Sequence, residues 1–204
     1  MEYPSKLIED AVNEVAKLPG IGKKTALRLV LHLIKQSENQ TLALTESLNK
    51  LRQNIKFCRI CNNISDAEEC VICKSHKRDR SLLCLVEDTQ DVIAIENTAQ
   101  YIGIYHVLGG VISPMNGVGP SDLKIDSLIH RLQHGNGEIK EIILALSPTM
   151  EGDTTSFYIN RKLAVFPIKI TSIARKIMVA EWRDLTKECS CGNASSQRNF
   201  ICIL

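Results

Sequence analysis

Four cysteines in the first half of the chain have the spacing of a metal site. Cys58 and Cys61 form one Cys-x-x-Cys knuckle, and Cys70 and Cys73 form a second one after eight intervening residues. Four thiolates satisfy the tetrahedral preference of Zn²⁺. Because a closed four-sulfur shell leaves no open position for water, we expect one structural zinc per chain. An iron–sulfur cluster is an alternative that metal analysis would separate, and disulfides would require an oxidising compartment.

A glycine-rich turn near the N-terminus has the properties of a phosphate site. The segment Leu18-Pro19-Gly20-Ile21-Gly22 joins two helical patterns. Its proline ends the first helix, and its glycines leave backbone amides free at the start of the second, which suits a phosphate oxygen. The motif resembles the helix-hairpin-helix of DNA-repair proteins; the alternative is an ordinary helical hairpin with a solvated lysine face. The candidate DNA-binding residues are Gly20, Gly22, Lys23, Lys24 and Arg28.

The charge balance restricts how such a protein could bind DNA. The chain has 204 residues, 44% of them hydrophobic and 24% charged, with a formal net charge of +2. Since this charge creates no strong whole-molecule field, local patches must bind the nucleic acid. One hairpin neutralises about two or three phosphates, which gives weak, salt-sensitive binding. Several hairpins presented together would bind better, so we expect a homo-oligomer.

The N-terminal residues and the apolar runs indicate the cellular compartment of the protein. Met1-Glu2-Tyr3-Pro4 lacks the basic, apolar and small-residue succession of a secretory signal, and no run of 18 apolar residues predicts a membrane span. We therefore expect a protein of a reducing cytosol.

Hydrophobic periodicity predicts an α/β fold behind a helical N-terminal region. Apolar residues at helical spacing predict helices over residues 7–15, 23–34 and 42–55. Beyond Arg80, predicted strands and helices alternate, which implies a mainly parallel sheet flanked by helices. The predicted strands are 82–86, 104–108, 139–146 and 167–173, and the predicted helices are 91–99, 123–132 and 154–164.

Acidic residues follow two of the predicted strands. Glu87 ends the first strand of the sheet, and Glu151 and Asp153 follow the third. Carboxylates at the carboxyl ends of parallel strands lie where such sheets place ligands, and they suit Mg²⁺ beside phosphates. The layout resembles a Toprim domain; solvated loop acids would show the same pattern.

Longer strings carry a more specific resemblance. They are Tyr105-His106-Val107-Leu108-Gly109-Gly110, Ile112-Ser113-Pro114, Gly117-Val118-Gly119-Pro120 and Leu146-Ser147-Pro148-Thr149-Met150-Glu151-Gly152-Asp153. With the hairpin and the four cysteines, they closely resemble the RecR family of bacterial recombination mediators over residues 5–175. The resemblance implies a dimer or tetrameric ring that clamps DNA and works with RecO and RecF. It also implies that Lys23, Lys24 and Arg28 contact DNA. Glu87, Glu151 and Asp153 would be the Toprim acids, for Mg²⁺ or for RecO.

The expected organisation has four parts. These are a helix-hairpin-helix region 1–56, a four-cysteine zinc finger 57–80, a Toprim-like domain 81–175 and an atypical C-terminal tail 176–204. The tail lacks the Gly-Gly and aromatic-x-Asp-Glu elements usual in the family. Codons for Val179-Ala180-Glu181 read one frame over could encode Gly-Gly, so we hypothesise a one-base frameshift, which resequencing tests. Cys189, Cys191 and Cys202 are then incidental thiols, and ring closure is in doubt.

The sequence is compatible with three functions. The leading hypothesis is a DNA clamp and recombination mediator without catalysis. A Mg²⁺-dependent Toprim-type nucleic-acid enzyme is the alternative, but Tyr101, Tyr105 and Tyr158 lie in no nucleophile motif, and Glu-Gly-Asp replaces a paired-aspartate motif. In the third interpretation the zinc segment is purely a protein-docking module.

Overall fold

The computed structural model describes residues 3–135 and 137–173 and the backbone of residues 200–201. The chain divides into two compact units, Met1–Ile55 and Lys56–Leu204. The first unit is helical, and the second contains the cysteine segment and a parallel sheet. The predicted α/β fold with a helical N-terminal region is therefore confirmed.

Three helices make up the first unit. They are α1 (Lys6–Val15), α2 (Lys23–Lys35) and α3 (Glu38–Asn54). The apolar faces of α1 and α2 pack together around Val12, Ala26 and Val30. In contrast, α3 has no buried residue, although leucines recur along it at helical spacing.

The cysteine segment has little regular structure of its own. It contains an antiparallel pair of two-residue strands, β1 (Lys56–Phe57) and β2 (Ile64–Ser65), and a short helix, α4 (Val71–Lys74). Its buried side chains are the four cysteines and Asn63, and Ile60 and Ile72 pack against the cysteines. This segment, residues 56–74, is called the finger below.

A parallel sheet in the order β4-β3-β5-β6-β7 forms the centre of the second unit. Its strands are β3 (Asp79–Val86), β4 (Gly103–Val107), β5 (Glu141–Ala145), β6 (Lys169–Ile173) and β7 (Phe200–Ile201). The crossover helices are α5 (Thr89–Asn97), α6 (Ile125–His134) and α7 (Met150–Leu163). All strand pairs in this sheet are parallel. The sequence-predicted elements of residues 82–173 are present, whereas the strand order was not predicted.

Both faces of the sheet are covered, which explains the uninterrupted apolar run of β3. Leu83 and Leu85 point to one face and pack with α6 and α7 residues, whereas Cys84 and Val86 point to the other and pack with α5. Within the part of the chain that the structure describes, no helix has the length and apolar character that a membrane crossing requires.

Candidate metal centre and nucleic-acid interface

The four predicted metal ligands lie together in the finger. The Sγ atoms of Cys58, Cys61, Cys70 and Cys73 are all within 4.8 Å of one another, and those of Cys61 and Cys70 are 3.5 Å apart. Four thiolates bound to one Zn²⁺ at about 2.3 Å would have sulfur–sulfur separations of about 3.8 Å. The observed spacing fits that arrangement, and all four side chains are buried. The finger therefore has the donor set and the size of a closed zinc site.

Backbone turns bring each pair of cysteines to the centre. In the first knuckle, Asn62 adopts φ +59° and its amide donates to the Cys58 carbonyl at 2.9 Å. In the second, the amide of Cys73 donates to Cys70 Sγ at 3.4 Å. The Cys70 amide in turn donates to Cys58 Sγ at 3.3 Å. N–H donors aimed at sulfur favour thiolates over thiols, which is the form a metal binds.

The thiols also compete with one another for protons. Hydrogen bonding with Cys61 lowers the pKa of Cys70, and the same contact raises the pKa of Cys61. Clustered thiols therefore cannot all ionise without a cation. A bound Zn²⁺ would remove this conflict by holding all four as thiolates, and its closed shell would supply stability rather than chemistry.

The finger is attached to the sheet through main-chain and side-chain contacts. The Val107 amide at the end of β4 donates to the Cys61 carbonyl at 2.8 Å. Arg80 donates from Nη2 to the Cys73 carbonyl at 3.3 Å. Ile72 packs against the apolar cluster between the sheet and α5. Each knuckle is thus fixed to the edge of the sheet.

A buried histidine lies below the first knuckle. His106 on β4 is fully buried, and its Nε2 lies 3.0 Å from the Lys124 carbonyl. Because a carbonyl only accepts, we assign the proton to Nε2, which makes His106 the donor. Its Nδ1 has no hydrogen-bond partner among the described residues. Burial lowers the pKa of His106 to about 4, so the ring is neutral at pH 7. No sequence motif indicated this role.

The glycine turn has the predicted shape for an anion. Gly20 adopts φ +79°, and Gly22 precedes α2 without any side chain capping the helix. No acceptor among the described residues meets the amides of Lys23, Lys24 and Thr25, and the first turn of α2 contains no acid. These free amides form the positive end of a helix dipole.

Cations continue along the same helix. A groove of about 560 Å³ lies along α2, and Lys24, Arg28 and Lys35 line it with Leu27 and Leu31. Lys23, Lys24 and Arg28 are exposed, and none of them forms an ion pair with a described residue. Lys35 was not among the sequence-predicted DNA contacts; its position three turns along the same helix is the signal that would have found it.

The acidic residues do not form a comparable cluster. Glu87 follows β3 and is half-buried, and its carbonyl accepts from the amides of Gly109 and Gly110 at 2.9 and 3.1 Å. Glu151 and Asp153 lie in the first turn of α7. Among the described residues, the four cysteines are the group of three or more metal-binding side chains that the structure gathers within 4.8 Å. The three acids are thus at the predicted places, and the structure does not bring their carboxylates together as it does the thiols.

Three regions of the chain are similar to known protein families. Sequence models of three families match the chain: a RecR helix-hairpin-helix over residues 8–52, a RecR four-cysteine zinc finger domain over residues 55–75 and a Toprim domain over residues 81–174. Proteins named Recombination protein RecR align over nearly the whole chain. The protein from Cytophaga hutchinsonii is 56% identical over 201 residues, which are 98% of this chain and 98% of the relative.

Two further relatives show the same extent of similarity. The Recombination protein RecR of Amoebophilus asiaticus is 54% identical over 198 residues, covering 97% of this chain and 98% of the relative. The Recombination protein RecR of Flavobacterium johnsoniae is 54% identical over 198 residues, which are 97% of this chain and 95% of the relative. A hairpin, a four-cysteine zinc finger and a Toprim sheet in this order define a Toprim-containing protein of DNA recombination and repair. The chain belongs to the RecR family.

Proposed function

We propose that the protein is a non-catalytic recombination mediator that binds the DNA backbone through its hairpin, with one structural zinc per chain. One observation carries this proposal: the free amides at the start of α2 lie beside exposed cations that no described acid neutralises. Gly20 and Gly22 shape the turn, and Lys23, Lys24 and Arg28 supply the charge. Backbone amides and lysines recognise phosphate rather than base edges, so the binding is independent of sequence.

Charge reversal on α2 tests the hairpin. Lys23→Glu with Lys24→Glu should weaken binding to a gapped DNA at least tenfold at low salt, and it should reduce the slope of log K against log salt by about two. Lys6→Glu with Lys77→Glu is the matched control, since it changes the same charge at exposed positions outside α2 that form no ion pair with a described residue. Unchanged DNA affinity in the α2 variant at low salt would exclude the hairpin as the DNA site.

We also propose that the protein acts as a ring-forming homo-oligomer. The support is α3, whose Leu44, Leu48 and Leu51 follow helical spacing and are 46%, 56% and 58% exposed. An apolar stripe of this kind marks a surface that another protein covers. Light scattering with and without gapped DNA should give the mass of a dimer or tetramer. Monomers under both conditions would refute the clamp.

The proposed partners are RecO and RecF, on the basis of family membership, at the cytoplasmic nucleoid of a bacterium. We place the RecO contact at Glu87, Glu151 and Asp153, on the carboxyl edge of the sheet. Glu151→Arg should weaken capture of purified RecO, whereas Glu138→Arg, at an exposed acid of the same unit, should not.

The proposed division of the chain into functional parts is the one expected from the sequence, with residues 1–56, 57–80, 81–175 and 176–204. The frameshift hypothesis concerns residues outside those that the structure describes.

A Mg²⁺-dependent nucleic-acid enzyme is the competing proposal. The Tyr101 hydroxyl donates to the carbonyls of Leu82 and Ile104, and the Tyr105 hydroxyl donates to Glu96 at 2.7 Å. Both hydroxyls are thus engaged in holding the sheet, and burial raises the pKa of each. These contacts favour the mediator. Incubation of the pure protein with Mg²⁺ and labelled DNA should give neither cleavage nor primer synthesis; either product would favour the enzyme.

A further inference from the structure

Arg131 on α6 is a partly buried cation without a carboxylate partner among the described residues. Its Nη1 donates to the Tyr105 carbonyl at 2.7 Å, and none of the ion pairs among the described residues includes it. Burial lowers its pKa, and electrostatic interaction with the four finger cysteines acts in the opposite direction. A partly buried guanidinium is more stable where a negative charge lies near it. The finger cysteines are the groups whose charge favours its cationic form.

Two sets of contacts place Arg131 below the first knuckle. Ser127, one turn earlier on the same face of α6, accepts a hydrogen bond from Asn62, the residue after Cys61. On the strand side, the Tyr105 carbonyl that Arg131 binds lies two residues before Val107, whose amide donates to the Cys61 carbonyl. The helix and the strand that hold Arg131 are thus those that hold the finger.

The charge of the finger matches this need. A Zn²⁺ ion bound by four thiolates carries two net negative charges. We propose that Arg131 is the internal counter-cation of the zinc–thiolate centre, so that α6 and the sheet depend on whether the finger holds its metal. Arg131 acts as a positioning residue: it stabilises the doubly negative centre and does not bind the ion.

The interaction affects both the metal and the sheet unit. Release of the ion breaks up the doubly negative centre and weakens its attraction to Arg131, so the ion is released more slowly when Arg131 is in place. Loss of zinc then destabilises the sheet unit as well as the finger.

Zinc release from the full-length, zinc-loaded protein tests the proposal. Arg131→Gln keeps an amide donor for the Tyr105 carbonyl but removes the charge, and Arg131→Lys keeps the charge. A chelator with a colour change should withdraw zinc about tenfold faster from Arg131→Gln than from the parent, the usual scale for an outer-shell partner. Arg131→Lys should stay close to the parent. Arg161→Gln, an exposed arginine on α7, is the matched control.

Thermal unfolding with and without zinc separates the charge from simple packing. Removal of zinc should lower the Tm of the parent by more than that of Arg131→Gln, because only the parent loses an attraction between a cation and the doubly negative centre. A packing role would lower Tm equally in both metal states and leave the release rate unchanged, which would overturn the proposal. Equal release rates for Arg131→Gln and Arg131→Lys would overturn it as well.

Discussion

The side-chain amide of Asn62 donates a 2.9 Å hydrogen bond to the hydroxyl of Ser127, 65 residues further along the chain. The same Ser127 hydroxyl forms a second hydrogen bond, in which it donates to the Lys124 carbonyl at 2.9 Å. With the main-chain bond from Val107 to Cys61, this contact attaches the first knuckle to both a helix and a strand of the second unit. We therefore expect the finger and the sheet to stabilise each other, although the sequence predicts the finger as a separate part.

Substitution of Asn62 should separate its side-chain bond from its backbone conformation. Asn62 has φ +59°, which glycine adopts freely and alanine does not. We expect Asn62→Gly to lower the free energy of unfolding by about 1 kcal/mol, the value of one hydrogen bond. Asn62→Ala should lower it by roughly 1 kcal/mol more, from left-handed strain. Urea denaturation of the zinc-loaded protein measures both, and equal losses in the two variants would contradict the assigned strain.

Removal of one metal ligand should affect the fold before it affects DNA binding. We expect Cys58→Ser to lose zinc and to unfold at lower urea concentration, because a structural zinc contributes its binding energy to folding. At a temperature where the variant remains folded, DNA affinity should stay within about threefold of the parent, since the proposed contacts lie in the unit Met1–Ile55.

Cys84→Ser is the control for that experiment. Cys84 is a buried thiol of β3 outside the metal cluster, and burial raises its pKa to about 12. This variant should keep its zinc while losing some stability. If Cys58→Ser folded like the parent but failed to bind DNA, the finger itself would contact the nucleic acid.

Local features of the sequence were sufficient to predict most of the elements and the metal cluster. Period-two and helical patterns reflect which side chains face a core, so β3 and the helices could be located from their apolar residues. The two Cys-x-x-Cys knuckles predict their own geometry, because each needs only one turn of chain. The free amides at Gly22 likewise follow from a short string with a proline and two glycines.

The contacts that anchor the finger were not predictable in this way. Asn62 lies near His106 and Ser127, and Arg131 binds the Tyr105 carbonyl, only because β4 and α6 pack together. These pairings span tens of residues with no periodic signal. The strand order has the same origin, since parallel strands are joined through helices and local patterns do not state which strands are neighbours. The acids Glu87 and Glu151 could be placed at strand ends, but the separation of their carboxylates depends on that order.

Gly152 should be more sensitive to substitution than its place between two acids suggests. A Cβ at this position would lie 2.0 Å from the Ser147 carbonyl oxygen, so α7 begins against the loop that follows β5. We expect Gly152→Ala to lower the free energy of unfolding by about 2 kcal/mol or more through overpacking. Gly119→Ala, where the nearest atom would be 3.6 Å away, should cost less than about 1 kcal/mol. Equal losses on denaturation would refute this close approach.

The stability of the sheet unit should fall below pH 6.5 because of His106. Its pKa is lowered by burial to about 4 in the folded protein, against 6.5 for an unhindered histidine. Between these values the unfolded chain binds a proton that the native chain does not, so acid favours unfolding. The native protein has the full benefit above pH 6.5, and about 3 kcal/mol is lost by the time the pH reaches about 4.

His106→Gln separates this effect from protonation of the zinc ligands. The variant should be less stable at pH 7, because a buried hydrogen-bonded side chain is altered, but it should lose less stability between pH 6.5 and 5 than the parent. Both proteins contain the same four cysteines, so acid release of zinc contributes to both curves and cancels in their difference. Urea midpoints measured at half-unit steps of pH give that difference directly. Parallel curves for parent and variant would show that His106 takes up its proton in the native state.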